Sequence, residues 1–104
     1  MVEAVTYYDL LPGIDRQAYA EWGKKTVDAI VQSPGVIEWR GNRNLLGSPQ
    51  VRTTTVWQTL ADWARFEEGT WPSFERELRA FATNIRTELW GPSPVISEPV
   101  RPKK

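Results

Sequence analysis

The stretch VRTTTVWQTLADWARF, residues 51–66, changes its periodicity half-way along. Val51 to Gln58 carries three consecutive threonines, two valines and a tryptophan. β-Branched and aromatic side chains of this kind fit a pleated, half-buried surface, which predicts a strand. From Leu60 the spacing becomes helical: Leu60, Trp63, Ala64 and Phe66 share one face of a short helix that ends before Gly69. Thr59 stands between the two as an N-cap. Asp62, three residues on, makes an incomplete capping box, because glutamate or glutamine is the usual reciprocal partner.

Upstream, Val36 to Asn44 (VIEWRGNRN) is a second strand candidate, and LLGSPQ at 45–50 supplies the Gly, Ser and Pro of a turn. That turn is short enough to join the two strands as an antiparallel hairpin. Residues 2–11, VEAVTYYDLL, predict the first strand, closed by Pro12-Gly13. Asp15 is positioned to cap a helix over Arg16–Gln32, where Tyr19, Trp22, Thr26, Val27 and Ile30 recur at helical spacing and Glu21 faces Lys25. Ser33-Pro34-Gly35 stops that helix.

Downstream, Pro72 suits the first turn of a further helix, whose apolar stripe runs Phe74, Leu78, Phe81, Ala82, Ile85. IRTELW, residues 85–90, predicts a fourth strand, and Ile85 belongs to both readings. Trp90-Gly91-Pro92-Ser93-Pro94 breaks regular structure, and Val95-Ile96 suggests a short edge segment. Residues 1–98 read as a single domain and residues 99–104 as a frayed basic tail.

The element order is strand, helix, strand, strand, short helix, helix, strand. Two βαβ-like halves with their helices on one face of a four-stranded antiparallel sheet make a ferredoxin-like split βαβ of the α+β class. The other sheet face is left uncovered, and a second copy of the chain can cover it. A homodimer is therefore expected.

Composition removes several chemistries. The 104 residues suit one domain, and 13 basic residues balance 13 acidic ones, so neither nucleic acid nor an anionic membrane is an expected partner. There is no cysteine and no histidine. That excludes a thiol nucleophile, a zinc–thiolate site, a Ser-His-Asp triad and a haem held by histidine. The acids are scattered and show no calcium-loop spacing, so no metal site is expected. The N-terminus lacks the pattern of a signal peptide and no apolar run reaches membrane-spanning length, which reads as a cytoplasmic protein.

Three stretches carry a family resemblance: LLPG at 10–13 before a helix, SPGV at 33–36 before the second strand, and VWQTLADWARF at 56–66, where the third strand runs into a helix. In this pattern, which spans nearly the whole chain, the sequence resembles the dimeric α+β barrel superfamily, and within it the antibiotic biosynthesis monooxygenase-like (ABM-like) domains. The resemblance implies a ligand pocket between sheet and helices. It also implies a cofactor-independent monooxygenase-like protein acting on a small aromatic or polyketide-type molecule, with no cofactor. A non-catalytic small-ligand-binding or structural homodimer of the same fold is the alternative. By resemblance the pocket residues are Thr6, Tyr8, Tyr19, Trp22, Trp57 and Trp63; no catalytic residue is implied. A haem-degrading branch uses a first-strand asparagine, a tryptophan and a histidine. Here these positions fall near Thr6, at Trp63 and on nothing, so that chemistry is not expected.

Each of these residues also has a packing reading. Tyr19, Trp22, Trp63 and Phe66 lie at helical spacing and would be core in any protein of this shape. Trp57, at a strand end, fits core and ligand wall equally well. Trp71 reads as a surface or helix-entry packing residue. A buried Tyr8 hydroxyl would need a partner, while Tyr7 points to the opposite sheet face. Glu38, Arg40 and Arg52 read as a cross-strand ion-pair ladder at the dimer edge, or as anion-binding or acid–base groups in a pocket. Asp9 could act as a general base only if burial raised its pKa.

Overall fold

The computed structural model describes residues 1–103. Seven elements follow one another: β1 (Val2–Leu10), α1 (Arg16–Val31), β2 (Val36–Arg43), β3 (Val51–Trp57), α2 (Leu60–Gly69), α3 (Trp71–Leu78) and β4 (Ala82–Trp90). The strands form one antiparallel sheet in the order β2-β3-β1-β4. This is the ferredoxin-like α+β arrangement expected from the element order. The last residue of the 99–104 tail, Lys104, lies outside the described residues. Among the described residues no helix is long and apolar enough to cross a membrane.

Local chemistry explains where the elements begin. The Asp15 carboxylate accepts the backbone N–H groups of Gln17 and Ala18, each at 3.0 Å, and so caps α1. Thr59 Oγ1 accepts the Asp62 N–H at 3.1 Å and caps α2. The reciprocal half of the capping box is missing. Asp62, one methylene shorter than glutamate, meets the Thr59 hydroxyl at 2.8 Å instead of its backbone N–H. Gly35 starts the passage into β2 at φ +89°, and a Cβ there would lie 2.3 Å from the Asp62 carboxyl group. Glycine is required at this point by both conformation and space.

The structure shortens the last helix. The apolar stripe from Phe74 to Ile85 predicted one continuous helix, but α3 ends at Leu78, and Ala82 and Ile85 belong to β4. Pairing with β1 takes over at Phe81, whose carbonyl accepts the Leu11 N–H at 2.8 Å. Between the Tyr7–Arg86 and Asp9–Thr83 pairs, β4 carries one residue more than β1. This bulge contains Asn84 at φ 54°, a left-handed conformation that asparagine tolerates better than most residues. The extra residue brings Ala82 and Ile85 to the same side of the strand, where both join the core. Their spacing of three, read from sequence as helical, is a bulged strand's.

Other expectations also shift. Lys25 pairs with Glu77 of α3 at 3.1 Å rather than with Glu21, whose carboxylate accepts from Gln17. Val95 and Ile96 form no strand and are exposed.

The core lies between the helices and the sheet. Tyr8, Trp22, Leu78 and Ala82 form its buried centre, with Tyr19, Val51, Trp71, Phe74, Phe81 and Ile85 packed around them. The opposite sheet face is mixed. Val5 and Val56 are buried beneath longer neighbours, and Arg40 bonds both Glu38 and, at 2.9 Å, Glu3. The ladder thus joins Glu38 and Arg40 to Glu3, whereas Arg52 bonds Asn42 at 3.2 Å. The Arg86 guanidinium sits 4.6 Å above the Tyr7 ring on this face.

Candidate functional site

A cavity of about 570 Å³ opens between α1 and the sheet. Its floor comes from Thr6 and Tyr8 of β1, Val51 and Thr53 of β3, and Trp39 and Gly41 of β2. Its roof comes from Tyr19, Trp22, Thr26, Val27 and Ile30 of α1, and Trp71 of α3 closes one side. The space exists because the sheet offers small side chains beneath the helix. Thr6, Thr53 and Gly41 leave room that larger residues would fill. Gly41 has a second reason: a Cβ there would come within 2.8 Å of the Trp39 ring. The Tyr19 and Trp22 rings are stacked on each other, 6.1 Å apart and 18° from parallel. A volume in this range suits a small organic ligand, and the wall is mainly apolar and aromatic.

A buried tyrosine pair stands in the cavity wall, which Lys24, Asp28 and Asn42 also line. The hydroxyls of Tyr8 and Tyr19 are 2.6 Å apart. Burial first, and the hydrogen bond to Tyr19 second, push the Tyr8 phenol far above its ordinary value of 10.0. Tyr8 therefore stays protonated, able to donate or accept a hydrogen bond but not to serve as a phenolate base.

A second, smaller crevice of about 40 Å³ adjoins this cavity. Trp57, Trp63, Phe66 and Glu67 line it, and it shares Thr6, Ile30, Thr53 and Trp71 with the larger space. Trp57 is 1% exposed, with its ring 5.1 Å from that of Phe66. The indole nitrogens of Trp22 and Trp57 are both buried with no hydrogen-bond partner among the described residues.

Asp9 is not a base. It accepts both contacts of the Ser48 hydroxyl (2.8 and 2.7 Å), the Gln50 N–H (2.9 Å) and the Asn84 amide (3.2 Å). The Ser48 hydroxyl chiefly, then Asn84, hold its carboxyl below the usual carboxylate value. Gln50 returns the contact by accepting the Leu10 N–H at 2.7 Å. The cluster fastens the β2–β3 loop to the centre of the sheet.

The sequence matches no family model and no curated protein. Solved structures share its shape. A proposed antibiotic biosynthesis monooxygenase from Deinococcus radiodurans superposes with a TM-score of 0.77 at 11% identity over 100% of both chains. SnoaB, a cofactor-independent oxygenase from Streptomyces nogalater, gives 0.74 at 15% identity, covering 93% of this chain and 97% of that one. The fold is ABM-like. A hydroxynitrile lyase from Passiflora edulis is also similar, with a TM-score of 0.72 at 12% identity over 86% of this chain and 90% of that one. An oxygenase and a lyase thus share the ABM-like architecture, and chemistry must be argued from the cavity itself.

Within this ABM-like frame, the residues singled out from sequence divide into two groups. Thr6, Tyr8, Tyr19 and Trp22 border the larger cavity, while Trp57 and Trp63 border the smaller crevice, which Thr6 also reaches. Trp71, read as helix-entry packing, borders both. Trp39, Gly41 and Glu67 were not foreseen. A bulge between Val36 and Glu38 resets the alternation of β2 and turns Trp39 towards α1, and no residue type announces it. Glu67 left one trace: it is four residues after Trp63, on the apolar face of α2.

Proposed function

We propose that this protein binds a small planar aromatic molecule between α1 and the sheet and oxygenates it without a cofactor. The observation that carries the reading is the aromatic cavity of about 570 Å³ with the Tyr8–Tyr19 hydroxyl pair in its wall. Trp22, Trp39 and Trp71 supply flat apolar surface for a ring, and the tyrosine pair offers a hydrogen bond to a ring oxygen. For an anthrone-type substrate the reaction balances without an added reductant. A ring CH2 and dioxygen give a ring C=O and water; two C–H bonds break, and the substrate supplies the electrons.

Oxygen uptake with a panel of hydroxyanthrones tests the reading, with saturable quenching of tryptophan fluorescence run in parallel. The expected result is ligand-dependent oxygen consumption with carbonyl product. A second reading, a binding module, is favoured by one observation: Tyr8, the most buried polar group of the wall, is held protonated and cannot take the substrate's proton. Quenching without oxygen uptake would select that module, and neither effect would reject both.

The same reading includes a homodimer in which the sheet face bearing Tyr7, Val5 and Arg40 meets its copy. Light scattering after size-exclusion chromatography tests it, and a stable monomer at micromolar concentration counts against it.

A further inference from the structure

The core-facing side of α2 carries an acid. Trp63, Phe66 and Glu67 fall at i, i+3 and i+4, the spacing that places side chains on one helix face. Trp63 and Phe66 pack in the aromatic crevice as that spacing requires, and Glu67 lines it with them. Among the residues lining the crevice, Glu67 alone is charged.

Glu67 is half-buried and, among the described residues, has neither an ion pair nor a side-chain hydrogen bond. The neighbouring charges are committed elsewhere: Arg65 pairs with Asp62, and Arg79 with Glu75. Burial, and then the charge of Glu75, push the Glu67 carboxyl above its ordinary value of 4.5. A carboxylate removed from water without a partner costs free energy, and an apolar residue would serve the packing better. The crevice has room for a partner. Its 40 Å³ compares with roughly 10–15 Å³ for one water-sized probe. It has room for a hydroxyl, and Thr6, Thr53 and Trp71 border both it and the larger cavity.

We propose that Glu67 accepts a hydrogen bond from a phenolic hydroxyl of the bound aromatic and thereby selects hydroxyl-bearing ligands. This rests on the larger cavity being the ligand site. The ligand class becomes a fused aromatic with a hydroxyl directed towards α2. The hydrogen bond to the carboxylate polarises the phenolic O–H and leaves the ring more electron-rich, without placing a second negative charge beside Glu67.

The test compares 2-naphthol with its methyl ether, which keeps the ring and removes the donor. Dissociation constants are measured by tryptophan quenching for the wild type, Glu67→Gln and Glu67→Ala, with circular dichroism confirming that each variant is folded. A charge-assisted hydrogen bond leads to an expected wild-type preference for the naphthol of about tenfold. Both variants should bring it to about threefold or less, with affinity for the ether changed less than about twofold, because neutral acceptors are weaker and the ring contacts are untouched. A wild type without preference, or a preference that survives in both variants, overturns the assignment to Glu67 and leaves the cavity reading standing. If neither compound binds the wild type, the cavity reading itself fails, and this inference with it.

Discussion

The hydroxyls of Tyr8 on β1 and Tyr19 on α1 meet at 2.6 Å, so one hydrogen bond ties a central strand to the helix that roofs the cavity. Tyr8→Phe leaves the Tyr19 hydroxyl without this partner and should cost about 0.5–1.5 kcal/mol. Urea denaturation of the two single variants and the double variant measures the coupling. Additive single effects would show that the pair is a contact without energetic consequence.

Tyr8 also fixes a pH dependence. Its folded pKa lies above the ordinary 10.0, so folding favours the protonated phenol. The associated stability is complete below about pH 10 and is lost as pH rises towards the folded value. Absorbance near the phenolate band should show at least one tyrosine resisting ionisation until the protein unfolds. Titration of all three tyrosines below pH 11 in folded protein would contradict it.

The Asp9 clamp works in the opposite sense. Its folded pKa lies below the ordinary 3.8, so its contribution is present above that value and is lost as pH falls through the folded pKa. Asp9→Ala removes the acceptor for Ser48, Gln50 and Asn84 together. Residues 44–50 should then exchange amide hydrogens faster and be cut more readily by protease, with the rest of the sheet protected. Unchanged exchange in this loop would remove the clamp's role.

Gly41 should control ligand affinity. A Cβ at this position meets the Trp39 ring at 2.8 Å, so Gly41→Ala must displace that ring within the cavity wall. β2 is an edge strand and can absorb the shift. The expected outcome is a several-fold weaker aromatic ligand at nearly unchanged melting temperature. Leu78→Ala is the contrasting variant: at 0% exposure it should cost about 2–5 kcal/mol, as truncation of a buried leucine does, and lower the melting temperature.

Glu67→Met should stabilise the protein by about 0.5–2 kcal/mol, because it replaces an unpaired half-buried carboxylate with an apolar side chain of similar length. Thermal denaturation checks this. A loss of stability would mean that Glu67 serves the fold.

The sequence by itself determined the elements that depend on neighbours along the chain. The shift from alternation to helical spacing in VRTTTVWQTLADWARF, the caps at Asp15 and Thr59, and the stop at Ser33-Pro34-Gly35 are local physics, and they specify the order of elements and hence the ferredoxin-like class. Thr6, Tyr8, Tyr19 and Trp22 came from the family resemblance rather than from local pattern, and all four line the larger cavity.

Only tertiary structure decided what depends on pairing across the chain. β1 took Phe81 to Ile85 away from the helical stripe, because a strand partner satisfies backbone groups that a longer helix would have bonded internally. The bulges at Ile37 and Asn84 reset which residues face inward, and with them the exposure of Trp39 to the cavity. The cavity depends on small side chains such as Gly41 and Thr53 lying beneath α1, on strands remote in sequence from the helix they face.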